Sequence, residues 1–296
     1  MQKRFKVPSI GVAAVALVVA AAFAVASPAL AASTQAASKP MTNVASAHAL
    51  AEARAFLSHI KVGSALHRAG AGHGVVINGI SQLKSTNWSG YADTGAANNF
   101  SAVSGSWVEP TATCGSSLSL AAFWVGIDGI SNADPTVQQD GTIIECQSGS
   151  ASYFDWWETY PGNAVQIEKS VSPGDHITAS VTHNGTYAMT VTDSTHTADS
   201  FSVSEACGAS TCENQSAEWI AEAPCCQGSS VYPLSNFGTW KVTGAKTTYK
   251  GTSGTVKIDP NIDEITMVDS SNAVKAAPGP LNTSGAKFKV VWKKST

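Results

Sequence analysis

From Ser85 to the C-terminus the chain breaks into short apolar runs, and none of them keeps a helical repeat for three turns. The runs cover 102–108, 121–127, 165–170, 176–183, 187–193, 217–222, 239–243, 264–268 and 287–292. Several alternate: in 176–181, Ile177, Ala179 and Val181 fall on one side of an extended chain. Gly, Asn, Asp and Ser separate the runs, and Asn184-Gly185 between two of them is a hairpin signal. Short strands at this spacing predict an all-β domain, a sandwich or a barrel. About 210 residues are enough for one such core, and no internal repeat divides them.

The residues before Ser85 have a different texture. Lys3, Arg4 and Lys6 form a basic head, 10–26 are almost wholly apolar, and Ser27-Pro28-Ala29-Leu30-Ala31 gives an A-x-A cleavage pattern. Residues 1–32 therefore read as a signal peptide rather than an anchor, which makes the mature protein secreted and extracellular, with no membrane attachment. Residues 33–84 carry five basic residues and one acidic one. Within them, Leu50, Ala53, Phe56, Leu57 and Ile60 recur at helical spacing. A basic, partly helical segment between a signal peptide and an acidic body reads as a propeptide, expected to inhibit the 85–296 domain.

That domain holds ten Lys, no Arg and twenty Asp plus Glu. Such a balance argues against nucleic acid, whose phosphates need Lys and Arg. It suits a monomer that works in acid, where carboxylates neutralise and few bases add to self-repulsion. All six Cys fall between positions 114 and 226, as disulfide partners in a secreted chain. We read Cys114–Cys146 and Cys207–Cys212 as pairs, which leaves Cys225 and Cys226 adjacent. There is no C-x-x-C and no H-E-x-x-H, so neither metal nor cofactor is expected.

The usual catalytic sets are missing. His176, His183 and His196 gather around one hairpin and read as surface residues. No G-x-S-x-G elbow is present. Asp93-Thr94-Gly95 resembles half of an aspartic dyad, but no second copy follows, so Asp93 reads as a loop residue. Three other stretches mix Trp with acids and amides: 122–129 with 137–142, 154–161, and 217–224. At period two, Trp156, Glu158 and Tyr160 share a face, and so do Glu218, Ile220 and Glu222.

These stretches carry a resemblance. N-W-S-G-Y (87–91), W-V-G-I-D-G (124–129), Q-x-G (139–141), W-x-E-x-Y-P (156–161) and A-E-x-I-x-E (217–222), in that order, look like the glutamic peptidase (eqolisin) family. The part from Met267 to Trp292 is like bacterial members. The resemblance implies a double-sheet antiparallel β-sandwich, a lectin-like jelly roll, and pepstatin-insensitive endopeptidase activity on polypeptides in acid. Carried over motif by motif, it makes Gln139 and Glu222 the catalytic pair, with Trp124, Asp128, Trp156, Glu158, Tyr160 and Glu218 in binding or supporting positions. One departure is that residues 130–134 lack the Cys that fungal members carry there, so fungal disulfide pairings are not transferred. A second difficulty is Gln138 beside Gln139, because a one-residue slip turns the other amide to the cleft.

The pairing has a chemical reason. A glutamate, which ordinarily titrates near about 4.3, can take a proton from water and return it to the leaving nitrogen. A glutamine amide donates a hydrogen bond without a titrating charge, so it can hold an oxyanion in acid. Two alternatives remain on sequence grounds. Glu158 and Glu222 could serve a glycosidase whose Trp residues stack on sugar, or the sandwich could be a carbohydrate-binding, lectin-like module.

Overall fold

The computed structural model describes residues 50–52, 54–55, 75–131, 136–162, 165–225 and 231–296. The signal-peptide reading of 1–32 and most of the propeptide reading of 33–84 lie outside these residues. Among the described residues, no helix is long and apolar enough to cross a membrane.

The strands in chain order are β1 (Val75–Ile77), β2 (Ile80–Ser85), β3 (Trp88–Thr94), β4 (Phe100–Val108), β5 (Ser119–Ile127), β6 (Val137–Gln147), β7 (Ser150–Tyr160), β8 (Gln166–Ser170), β9 (His176–His183), β10 (Tyr187–Asp193), β11 (Phe201–Glu205), β12 (Ser216–Glu222), β13 (Thr239–Tyr249), β14 (Thr252–Gly254), β15 (Ile262–Val268), β16 (Val274–Pro278) and β17 (Phe288–Trp292). They make a β-sandwich. One sheet runs β8-β7-β6-β5-β12-β3-β15-β2-β1, and β16 and β17 extend it beyond β15. The other runs β11-β10-β9-β4-β13-β14. β13 belongs to both, since residues 239–242 pair with β17 and the rest of the strand pairs with β4.

Alternation decides which side chains enter the space between the sheets. Phe123, Val125, Trp219 and Ala221 from the first sheet meet Val103, Ile177, Ala179, Val181 and Met189 from the second in one buried cluster. Each large apolar side chain buried this way contributes about 1.5–3 kcal/mol. Trp240 joins the cluster, stacked on Phe123 with ring centroids 5.3 Å apart. The opposite face of the first sheet is also apolar and buried: Trp88, Trp124, Trp156 and Ile220 pack there in a second cluster.

One expectation needs correction. Asp93 is not in a loop; it lies inside β3, buried, opposite Ala217 and Ile262. Burial pushes its carboxyl well up, and Asp259 and Asp263 add to the shift. The line drawn at residue 84 falls within β2, whose six residues all pair in parallel with β15. The disulfides Cys114–Cys146 and Cys207–Cys212 form as read. Cys225 is buried in a bridge to Val231, and Cys226 lies outside the described residues.

Candidate active site

The register of β3, β12, β5, β6 and β7 sets the candidate groups on the outer face of the first sheet. One row across the strands reads Ala92, Glu218, Gly126, Gln139, Glu158. The next reads Gly90, Ile220, Trp124, Gly141, Trp156, and the one after it Trp88, Glu222, Ala122, Ile143, Phe154. The β6–β7 hairpin closes through Ser148 and Gly149, both at positive φ (52° and 82°), the geometry of a two-residue turn. That turn fixes Gln139 opposite Glu158.

Glu222 is buried, and both of its oxygens accept hydrogen bonds. Trp124 Nε1 donates to Oε2 at 2.9 Å and Asn87 Nδ2 donates to Oε1 at 3.3 Å. Asn87 is itself set by Ser85, whose hydroxyl donates to Asn87 Oδ1 at 2.7 Å and accepts from the Trp88 backbone N–H at 3.0 Å. Asn87 opens the N-W-S-G-Y motif, but the sequence reading gave it no role, and Ser85 served only as a boundary. The signal was present as a short hydroxyl–amide turn before a strand.

Gln139 Nε2 donates to Glu158 Oε2 at 3.0 Å, and both residues are buried. Because a carboxylate only accepts, this contact determines which end of the amide is the nitrogen. The Gln138 ambiguity is resolved by the period of the strand. Gln138 points the other way, with Nε2 3.1 Å from Cys212 Sγ of the second disulfide.

The remaining predicted residues separate by position. Glu218 and Trp156 are buried on the same face as Gln139 and Glu222. Tyr160 packs against that face from the end of β7. Asp128 does different work: at positive φ (72°), it accepts from the backbone N–H of Asn214 (2.9 Å) and Gln215 (2.7 Å), bracing the start of β12 against the end of β5. His176 and His183 lie on β9 and His196 in the turn after β10, all in or beside the second sheet.

Trp124 links the two halves of the arrangement. A methyl group added at Gly126 would sit 2.8 Å from Trp124 Cζ3 and 3.3 Å from Gln139 Cβ. The indole therefore leans over the gap left by Gly126 while its N–H holds Glu222. The result is a carboxylate held by two N–H donors and an amide of fixed orientation, on one sheet face, joined by a tryptophan. That set can handle a proton and stabilise a developing negative charge.

The family model described as the Peptidase A4 family matches residues 86–283. Scytalido-glutamic peptidase, solved with a peptide-based transition-state analogue, is similar at TM-score 0.59 and 24% identity, over 70% of this chain and 98% of that one. SCP-B, an eqolisin solved with the tripeptide Ala-Ile-His, is similar at TM-score 0.58 and 23% identity with the same coverage. At that identity the likeness speaks for the fold. No curated protein sequence matches the chain.

Proposed function

The chain belongs to the Peptidase A4 family and is a glutamic-type endopeptidase acting on polypeptides; from that premise we propose that Glu222 and Gln139 carry its chemistry. Glu222 takes a proton from a water, whose oxygen attacks the scissile carbonyl carbon. The carbonyl oxygen becomes an oxyanion. Glu158 accepts one hydrogen of the Gln139 NH2, and the proposal assigns the other to that oxyanion. Collapse of the intermediate breaks the C–N bond, and protonated Glu222 gives its proton to the leaving nitrogen. Trp124 and Asn87 orient the carboxylate, Glu158 orients the amide, and Asp128 braces the strands beneath them. The hydrogen bond from Trp124 to Glu222, over a gap that Gln139 also borders, is the observation that carries this reading.

The same reading makes the enzyme secreted, active in acid and insensitive to pepstatin, since no aspartic dyad takes part. It also makes the segment from residue 33 up to β2 an inhibitory propeptide, ending short of residue 84 because β2 pairs along its whole length with β15. Support comes from the part of that segment that is described. Residues 50–52 and 54–55 are helical, and Leu50 packs against the apolar cluster that contains Trp124 and Trp156. Arg54 donates to the backbone carbonyls of Ile167 (2.8 Å) and Glu168 (2.9 Å) on β8. The contact is thus made to backbone oxygens rather than to cleft carboxylates. A glycosidase reading would need Glu158 as a second working carboxylate, yet Glu158 accepts from Gln139.

Digestion of a denatured protein from strong acid to mild base tests the reading, with pepstatin and a chelator as separate additions. Cleavage in acid that survives both additions and disappears in Glu222→Gln supports it. Cleavage blocked by pepstatin, or unchanged in Glu222→Gln, removes the dyad.

A further inference from the structure

We propose that Asp175, Asp193 and His196 form a binding site for a first-row divalent metal ion of the zinc type, in the second sheet and separate from the peptidase site. Asp175 immediately precedes β9, Asp193 ends β10, and His196 lies in the turn that follows. Backbone N–H groups anchor each carboxylate through one oxygen. Asp175 Oδ2 accepts from the Ser172 N–H at 2.7 Å. Asp193 Oδ1 accepts from the N–H groups of Thr195 (2.7 Å) and His196 (2.9 Å). The other oxygens converge on the imidazole: His196 Nδ1 is 3.0 Å from Asp175 Oδ1 and 3.7 Å from Asp193 Oδ2. The three atoms lie within 4.8 Å of one another.

Asp193 supplies the independent sign of a ligand. The residue is 1% exposed, and its Oδ2, aimed into the cluster, accepts no hydrogen bond and, among the described residues, has only the His196 imidazole, 3.7 Å away, as a counter-charge. A buried carboxylate oxygen without a donor is costly, and beside a second buried carboxylate it is more so. A divalent cation offsets both charges at once. The spacing fits: zinc bonds of about 2.0–2.2 Å to N and O ligands in a tetrahedron separate those ligands by roughly 3.3–3.5 Å. The two distances from the imidazole, 3.0 and 3.7 Å, bracket that value, and the two carboxylate oxygens lie within 4.8 Å of each other. One imidazole with two carboxylates selects zinc or manganese over calcium, which takes six to eight oxygens. With the ring proton on Nε2, the Nδ1 lone pair faces the ion, and the 54% exposed side chain of His196 leaves a path for it and for water ligands. The sequence hides this set because Asp175 lies 18 positions before Asp193 and meets the Asp193–His196 turn only through the pairing of β9 with β10.

The test uses mature protein stripped with a chelator at neutral pH. Zinc chloride is titrated by calorimetry, with manganese and calcium chlorides as comparisons, and Tm is followed in parallel. The expected result is one zinc bound per chain with a raised Tm, little response to calcium, and zinc affinity at least tenfold weaker in His196→Ala. That variant removes a half-exposed side chain, so it keeps its circular dichroism and its acid proteolysis. Asp193→Asn weakens zinc in the same way where it folds. Absence of saturable zinc binding overturns the proposal, and so does equal binding by His196→Ala; in either case His196 is only an ionic staple between two turns.

Discussion

Trp124 holds Glu222 through an indole N–H to Oε2 hydrogen bond of 2.9 Å, and the far edge of the same ring fills the space above Gly126, beside Gln139. One side chain thus orients the carboxylate and borders the amide. Replacing it with phenylalanine keeps an aromatic ring and removes the donor. A hydrogen bond to a charged group is worth about 1.5–3 kcal/mol, so Trp124→Phe is expected to lower kcat about ten- to hundredfold with little change in KM. Steady-state kinetics on a fluorogenic peptide in acid check it; an unchanged kcat removes Trp124 from the site's support.

Gly126 is a packing prediction. Its missing side chain is the gap the indole occupies, and a methyl there would meet ring carbon Cζ3 at 2.8 Å. Gly126→Ala must therefore displace Trp124 or Gln139. Overpacking of this kind costs about 1–3 kcal/mol, and the displacement is expected to lower kcat/KM more than tenfold. Melting curves and kinetics on the same sample separate lost stability from lost activity.

The buried carboxyls make stability depend on pH. Desolvation pushes Asp155 up to about 8 and holds Asp140 and Asp93 well above the usual carboxylate range. With a folded pKa raised above its unfolded value, each group binds a proton more tightly in the native state. Its contribution is complete below about pH 4 and is lost as pH rises toward the folded value, by about 1.4 kcal/mol per unit per group. Tm should therefore be highest in acid and fall steadily from about pH 4 to pH 8. Calorimetry across that range checks it, and Asp155→Asn, which has no proton to lose, should flatten the decline.

Residues on the N-terminal side yield a maturation prediction. Removing β2 would strip β15 of a six-residue parallel partner, whereas Val75, Val76 and Ile77 on β1 are exposed. The mature N-terminus is expected before Ile80, as read by intact mass. Arg54→Ala, which loses two hydrogen bonds to β8 worth roughly 1 kcal/mol each, should hasten activation in acid by up to about thirtyfold.

Much of this is legible in the sequence. β9 and β10 fall on the predicted residues because both alternate and end at turn signals. Glu218 and Glu222 share a face for the same local reason, whereas Gln139 and Glu158 join them only through the register of β12, β5, β6 and β7. What stayed hidden depends on non-local pairing. β2 has a weak pattern of its own and is a strand through its parallel contact with β15. Asp93 carries a loop-like tripeptide, but its two flanking strands override it. Asn87 acquires its role only because β12 brings Glu222 alongside, a contact between residues 135 positions apart.

The most direct test of the account is the ratio of kcat/KM for Gln139→Ala to that of wild type, on one peptide substrate in acid. With Tm unchanged, the ratio should fall by about 10²–10³, the usual loss on removing an oxyanion donor, and Glu222→Gln should fall further. Gln139→Ala activity within about threefold of wild type would mean that no amide stabilises the intermediate, and would contradict the assignment.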